Sequence, residues 1–102
     1  MKEQFRDCRL QIRDHAIKRL IERNFPINKL RKMIFKARWF PHIEEERVTC
    51  ICREEDEFWT IIIAPTKKFI FIITVYESNN SEINQFHEGK EINTFDLMDN
   101  GD

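Results

Sequence analysis

Glycine and proline are scarce in this chain, with two and three copies among 102 residues, and no segment repeats another. That scarcity excludes collagen-like and linker-dominated chains. Long apolar runs are missing as well. The longest, FIFII at 69–73, falls far short of the roughly 20 residues a spanning helix needs. The opening residues show no secretory h-region, so the expectation is a cytoplasmic location without a membrane partner. Cysteine is limited to Cys8, Cys50 and Cys52, an odd number without C-x-x-C spacing, and no H-x-x-x-H pair accompanies them. Free thiols, no metal and no cofactor are therefore expected.

What is present is a hydrophobic fraction of 41%, with nine Phe and two Trp. A chain of this length buries somewhat over about 60% of its extended surface, enough for one core. The formal net charge of −1 hides an uneven distribution. Residues 1–38 carry twelve Lys/Arg against four Asp/Glu, residues 39–76 four against seven, and residues 77–102 one against seven. A basic head and an acidic tail imply an anionic partner for the head, or neutralisation of the head by the tail.

The pattern along the chain predicts an α+β fold. Cys8, Leu10 and Ile12 alternate with Arg9, Gln11 and Arg13, the period of a half-buried edge strand. Asp14 is a preferred N-cap, and Ala16, Ile17, Leu20 and Ile21 make one apolar stripe of a helix over about 15–24. Pro26 and Asn24 stop it. Asn28 then caps a second helix with Leu30, Met33, Ile34 and Ala37 inward and Lys29, Arg31, Lys32 and Lys36 outward. Three strands follow at about 43–53, 58–64 and 69–77, joined by the EEDE and PTKK turns, as an antiparallel meander. The expected architecture is two N-terminal helices packed on an antiparallel sheet of three or four strands. It forms one domain over residues 1–77, followed by a loosely ordered acidic tail over 78–102. The strands FWTIIIA and FIFIITVY are apolar on both faces. Their second face needs a cover: tail residues Ile83, Phe86, Ile92, Phe95 and Leu97, a homodimer partner, or another protein.

Chemistry concentrates on the first helix. His15, Arg19 and Arg23 form an i, i+4, i+8 row, with Lys18 on the same arc. An imidazole exchanges protons near neutral pH and arginine forks grip phosphate, so the row suits metal-independent phosphodiester work or RNA binding. The same spacing also describes a solvated helix face. Trp39 and His42 offer aromatic surface that serves either base stacking or the core.

The segment DHAIKRLIERNFPINKL, followed later by ITVYES, resembles the family called domain of unknown function 4258. That family shows H-A-x-x-R-[LM]-x-x-R on a first helix and T-x-Y on a last strand. The pattern falls here on His15, Ala16, Arg19, Leu20 and Arg23, then on Thr74 and Tyr76, within residues 10–77. The family is similar to BrnT and RelE ribonuclease toxins. The resemblance implies a RelE/BrnT-like fold and metal-independent RNA cleavage, with a cognate antitoxin-like protein as partner. It implies His15 as base or acid, Arg19 as phosphate clamp and Tyr76 as a catalytic group of the closing strand. Arg23, Lys18 and Thr74 would bind RNA. NFPIN stands where the family has a glycine-containing turn. The reading therefore has a leading form, an endoribonuclease of a toxin-antitoxin system. Its alternatives are a non-catalytic nucleic-acid- or protein-binding module and an assembly role through the apolar sheet.

Overall fold

The computed structural model describes residues 2–44 and 46–92. Its strands are β1 (Arg9–Ile12), β2 (Arg38–Pro41), β3 (Val48–Glu54), β4 (Glu57–Pro65) and β5 (Phe69–Glu77). Its helices are α1 (Asp14–Glu22), α2 (Leu30–Lys36) and α3 (Asn80–Glu88), with short 3-10 turns at Lys2–Phe5 and Ile27–Lys29. The strands form one sheet in the order β1-β5-β4-β3-β2. The α+β class expected from the sequence is found, but the architecture is larger than expected. The sheet has five strands and is mixed, because β1 pairs with β5 in parallel while the other neighbours are antiparallel.

Both expected hairpins form. Glu54 faces Glu57 across the first turn, with Glu55 at φ 57°. The second is held by Thr66, whose hydroxyl accepts from the Phe69 N–H at 3.0 Å. A further strand, which the sequence pattern does not predict, precedes both hairpins: the chain extends at Ala37 and RWFP lies along β3 as β2. A proline is tolerated there because β2 is an edge strand.

α1 and α2 cover one face. Ala16, Leu20, Leu30, Met33 and Ile34 pack with Ile61, Ile63, Ile70, Ile72 and Val75 into the main core. Each of these leucine, isoleucine, valine and methionine side chains contributes about 1.5–3 kcal/mol when fully buried. Trp39 is wholly buried and its indole N–H donates to the Ile34 carbonyl at 2.8 Å. Asn24 adopts φ 53° at the end of α1, and the Phe25 N–H reaches back to the Leu20 carbonyl at 2.9 Å. This is the left-handed C-terminal closure that asparagine tolerates. The N-termini differ from expectation: Asp14 begins α1 and Asn28 lies in a 3-10 turn, and neither side chain caps its helix.

α3 covers part of the other face. Residues 80–88 were expected to be loosely ordered, yet Asn79 and Glu82 close a capping box and Ile83 and Phe86 are partly buried. The Phe86 ring meets Phe58 edge-on at 5.2 Å. Beneath this layer Phe40, Ile51 and Thr60 are fully buried. Arg38 ties the helix down by donating to the carbonyls of Phe86 and Gly89 and pairing with Glu91 at 3.5 Å. The Ile92 N–H then bonds the Trp39 carbonyl at 2.9 Å, extending the edge of β2. Phe95 and Leu97 lie outside the described residues.

One irregularity decides which way β5 points its second half. Ile62 pairs with Thr74 but Ile63 pairs with Ile72, so Ile73 is an extra residue, a β-bulge. Strict alternation from Ile70 and Ile72 would carry Thr74 and Tyr76 into the α1 side. The bulge inverts the phase, so Val75 enters the main core and Tyr76 turns toward α3.

Candidate nucleic-acid interface

His15, Lys18, Arg19 and Arg23 are all exposed along α1 and its C-terminal cap, and none of their side chains has a hydrogen bond or ion pair among the described residues. The reason is the helix's apolar stripe: Ala16 and Leu20 are buried against the sheet, which turns the basic row to solvent. Ile21, expected inward, is 63% exposed. The structure therefore brings together four of the residues singled out on the first helix.

It does not bring Tyr76 and Thr74 to them. Both stand on the opposite face of the sheet from α1, through the bulge at Ile73. The Tyr76 hydroxyl donates to the Glu82 carboxylate on α3, and burial, with that carboxylate second, pushes its pKa up. A phenol held protonated under a helix is not poised to take part in chemistry beside His15. The expected cleft shared by His15, Arg19 and Tyr76 is absent, and Thr74 leaves the proposed RNA contacts with it. His42 is engaged locally, its Nδ1 accepting from the Glu44 N–H at 3.0 Å. Trp39 has no exposed surface on which a base could stack.

The cationic concavity lies instead between the N-terminal turn and α2. A recess of about 480 Å³ is lined by Arg6, Asn28, Arg31, Lys32, Phe35 and Lys36. α2 shapes it: Met33 and Ile34 face the core, so Arg31, Lys32 and Lys36 rim the hollow. Phe35 forms an apolar base, with the guanidinium of Arg6 4.9 Å and that of Arg31 6.0 Å from its ring centre. Arg31 also donates to the carbonyls of Arg6 and Cys8, which fixes the N-terminal segment against α2.

Two of these cations have carboxylate neighbours. Arg6 pairs with Glu3 at 2.9 Å and Lys36 with Glu54 at 3.0 Å. The hydrogen bond from Arg6 holds the Glu3 carboxyl below its ordinary range, and that from Lys36 does the same for Glu54. Both pairs are solvent-exposed, the kind that contributes about 0–1 kcal/mol and gives way to a stronger anion. Lys29 and Lys32 have no such pair among the described residues. Sequence reasoning placed Lys29, Arg31, Lys32 and Lys36 on one helix face but missed Arg6, because only the fold brings the N-terminal turn beside α2.

Charge is divided between the layers. α1 and α2 present the basic surface, while α3 carries Glu82 and Glu88 on the far side of the sheet. Glu82 is committed to Tyr76 and its own cap, and Glu91 to Arg38. An acidic segment folding back over the basic helices was one expectation from the charge count; residues 80–92 do not do so. Among the described residues no helix is long and apolar enough to cross a membrane. No protein-family model, curated protein or solved structure matches this chain.

Proposed function

We propose that this chain is a nucleic-acid-binding module that holds RNA through its basic helix layer and does not cleave it. The observation that carries this reading is the recess of Arg6, Arg31, Lys32 and Lys36, whose lining contains four cations and no carboxylate. Arginine forks and lysine ammonium groups are the side chains that replace counterions along a phosphate backbone. The exposed row of Lys18 and Arg19 on α1 and Arg23 at its C-terminal cap extends the same sign of charge. Confining acidic α3 to the opposite face leaves this layer attractive to a polyanion.

The test is anisotropy of a labelled RNA oligonucleotide over a salt series. Lys32→Glu should weaken binding across sequences and reduce the salt slope by about one. Binding that ignores both salt and Lys32 would overturn the reading. Cleavage is the second outcome to examine. His15, Arg19 and Arg23 keep the row that the family resemblance singles out, but Tyr76 is not available to them. RNA incubated without added metal should therefore stay intact. Fragments ending in 2′,3′-cyclic phosphate, lost in His15→Ala, would restore the toxin-like endoribonuclease and its antitoxin-like partner.

A further inference from the structure

α3 leaves one part of the second sheet face open. Phe40, Ile51 and Thr60 are buried beneath it, but Phe69, Phe71 and Ile73 on β5 and Ala64 on β4 remain half-exposed. The rings of Phe69 and Phe71 stand 5.8 Å apart, and the Arg13 guanidinium lies 5.5 Å from the centre of Phe71. Strand β1 adds Arg9 opposite Phe69 and Gln11 opposite Phe71, both exposed. Where β1 and β5 begin, a second hollow of about 550 Å³ is bordered by Gln4, Asp7, Arg9, Lys67, Lys68 and Phe69. It adjoins the basic recess through one short segment: Arg6 lines the recess, Asp7, Cys8 and Arg9 line the hollow, and Arg31 bonds the carbonyls of Arg6 and Cys8. Cations thus run from α2 around the end of the sheet onto a half-open aromatic face. Beyond Ile73 the charge is mixed, with Glu44 and Glu46 beside Arg13 and Arg47.

We propose that this track binds single-stranded nucleic acid, with phosphates along Arg31, Arg6, Arg9 and Lys68 and bases stacked on Phe69 and Phe71. The inference rests on the nucleic-acid reading above and names its substrate class. Stacking needs a base face free of its neighbours, which a duplex does not offer. A phenyl ring offers no hydrogen bond to a base edge, so the platform accepts any base. The cations on both sides of the ring pair fit an anionic strand better than an apolar protein surface, because an apolar surface would leave Arg9 and Lys68 facing no compensating charge.

The experiment compares one RNA sequence as a single strand and as a duplex, using wild type, Phe71→Leu, Phe71→Tyr and Lys32→Glu, each checked for its fold by circular dichroism. Phe71→Leu keeps an apolar side chain but no ring. It should weaken single-strand binding about tenfold, leave the salt slope unchanged and spare the duplex. Phe71→Tyr should bind as wild type does. If Phe71→Leu binds the single strand normally while Lys32→Glu does not, stacking is overturned and the basic-layer reading stands. If wild type binds neither form, both fall together.

Discussion

The Tyr76 hydroxyl donates to the Glu82 carboxylate, and the other oxygen of that carboxylate accepts from the Asn79 N–H to close the N-terminus of α3. One side chain thus joins the end of β5 to the helix that follows it. Tyr76→Phe removes the donor without changing the ring, and should lower stability by about 1 kcal/mol. Urea denaturation followed by tryptophan emission measures the change. Affinity for RNA should not move, because the pair lies across the sheet from α1 and α2 and at the opposite end of β5 from Phe69 and Phe71.

The same contact sets a pH dependence. Burial first, and then the bond to Glu82, raise the Tyr76 pKa. A raised phenol pKa means that the folded state retains the proton longer than the unfolded chain does. The resulting stability is fully present below the ordinary tyrosine pKa of about 10 and is lost as pH climbs through the higher folded value. Tyr76 is the sole tyrosine, so phenolate absorbance reports on it alone. Its titration midpoint should lie above about 10 in the native protein and return to about 10 in urea. Identical midpoints would mean that the contact does not form.

Much of this fold was legible because its signals are local. The alternation of Leu10 and Ile12 with Arg9 and Gln11 gave β1, and Asn24 before Phe25-Pro26 marked the end of α1. The two hairpins followed from their turns. Other features depend on partners far along the chain. That β1 runs parallel beside β5 is a choice between sheet edges, and β2 has only four residues directly after a helix. α3 did leave a trace, Asn79 three residues before Glu82 with Gly89 beyond, but its apolar stripe is short. The bulge was the costliest omission. Ile72 and Val75 both face the main core although they are three residues apart, and no residue in FIFIITVY announces the insertion. The candidate site divided in the same way: the row on α1 was readable, whereas the recess and the aromatic track arise from packing of the first nine residues.

Gly89 should tolerate no side chain. Its φ of −72° suits any residue, so the constraint is space rather than backbone conformation. A Cβ there would lie 2.5 Å from the Gln85 carbonyl oxygen, 2.8 Å from Gln85 Cγ and 2.9 Å from a Phe40 ring carbon. Phe40 is wholly buried and cannot yield freely. Gly89→Ala should destabilise the protein by about 1–3 kcal/mol through this overpacking. It should also loosen α3, seen as faster amide exchange over 80–88. Unchanged exchange would show that the end of the helix shifts to make room.

The three thiols should react in a fixed order. Cys50 and Cys52 point into the main core from β3, opposite Trp39 and Trp59, and Cys8 sits under the turn after β4 with its Sγ 3.4 Å from the Thr66 carbonyl. Burial pushes all three pKa values up, most strongly for Cys50. Thiolate is the reactive form, so alkylation of the native protein near neutral pH should be slow. Cys8, 3% exposed and at the hollow beside Arg9, needs only a local opening of the N-terminal segment, whereas Cys50, with no exposed surface, requires the sheet to part. Mass spectrometry after timed alkylation should therefore find Cys8 modified first and Cys50 last, with all three rapid in denaturant. Bound single-stranded RNA should slow Cys8 as well as Cys50, since it clamps Arg6 and Arg9 on either side of the Cys8 thiol and also stabilises the folded state against the opening that exposes Cys50. Protection of Cys50 without Cys8 would instead indicate a ligand bound elsewhere, which stabilises the fold but leaves the N-terminal segment free to open.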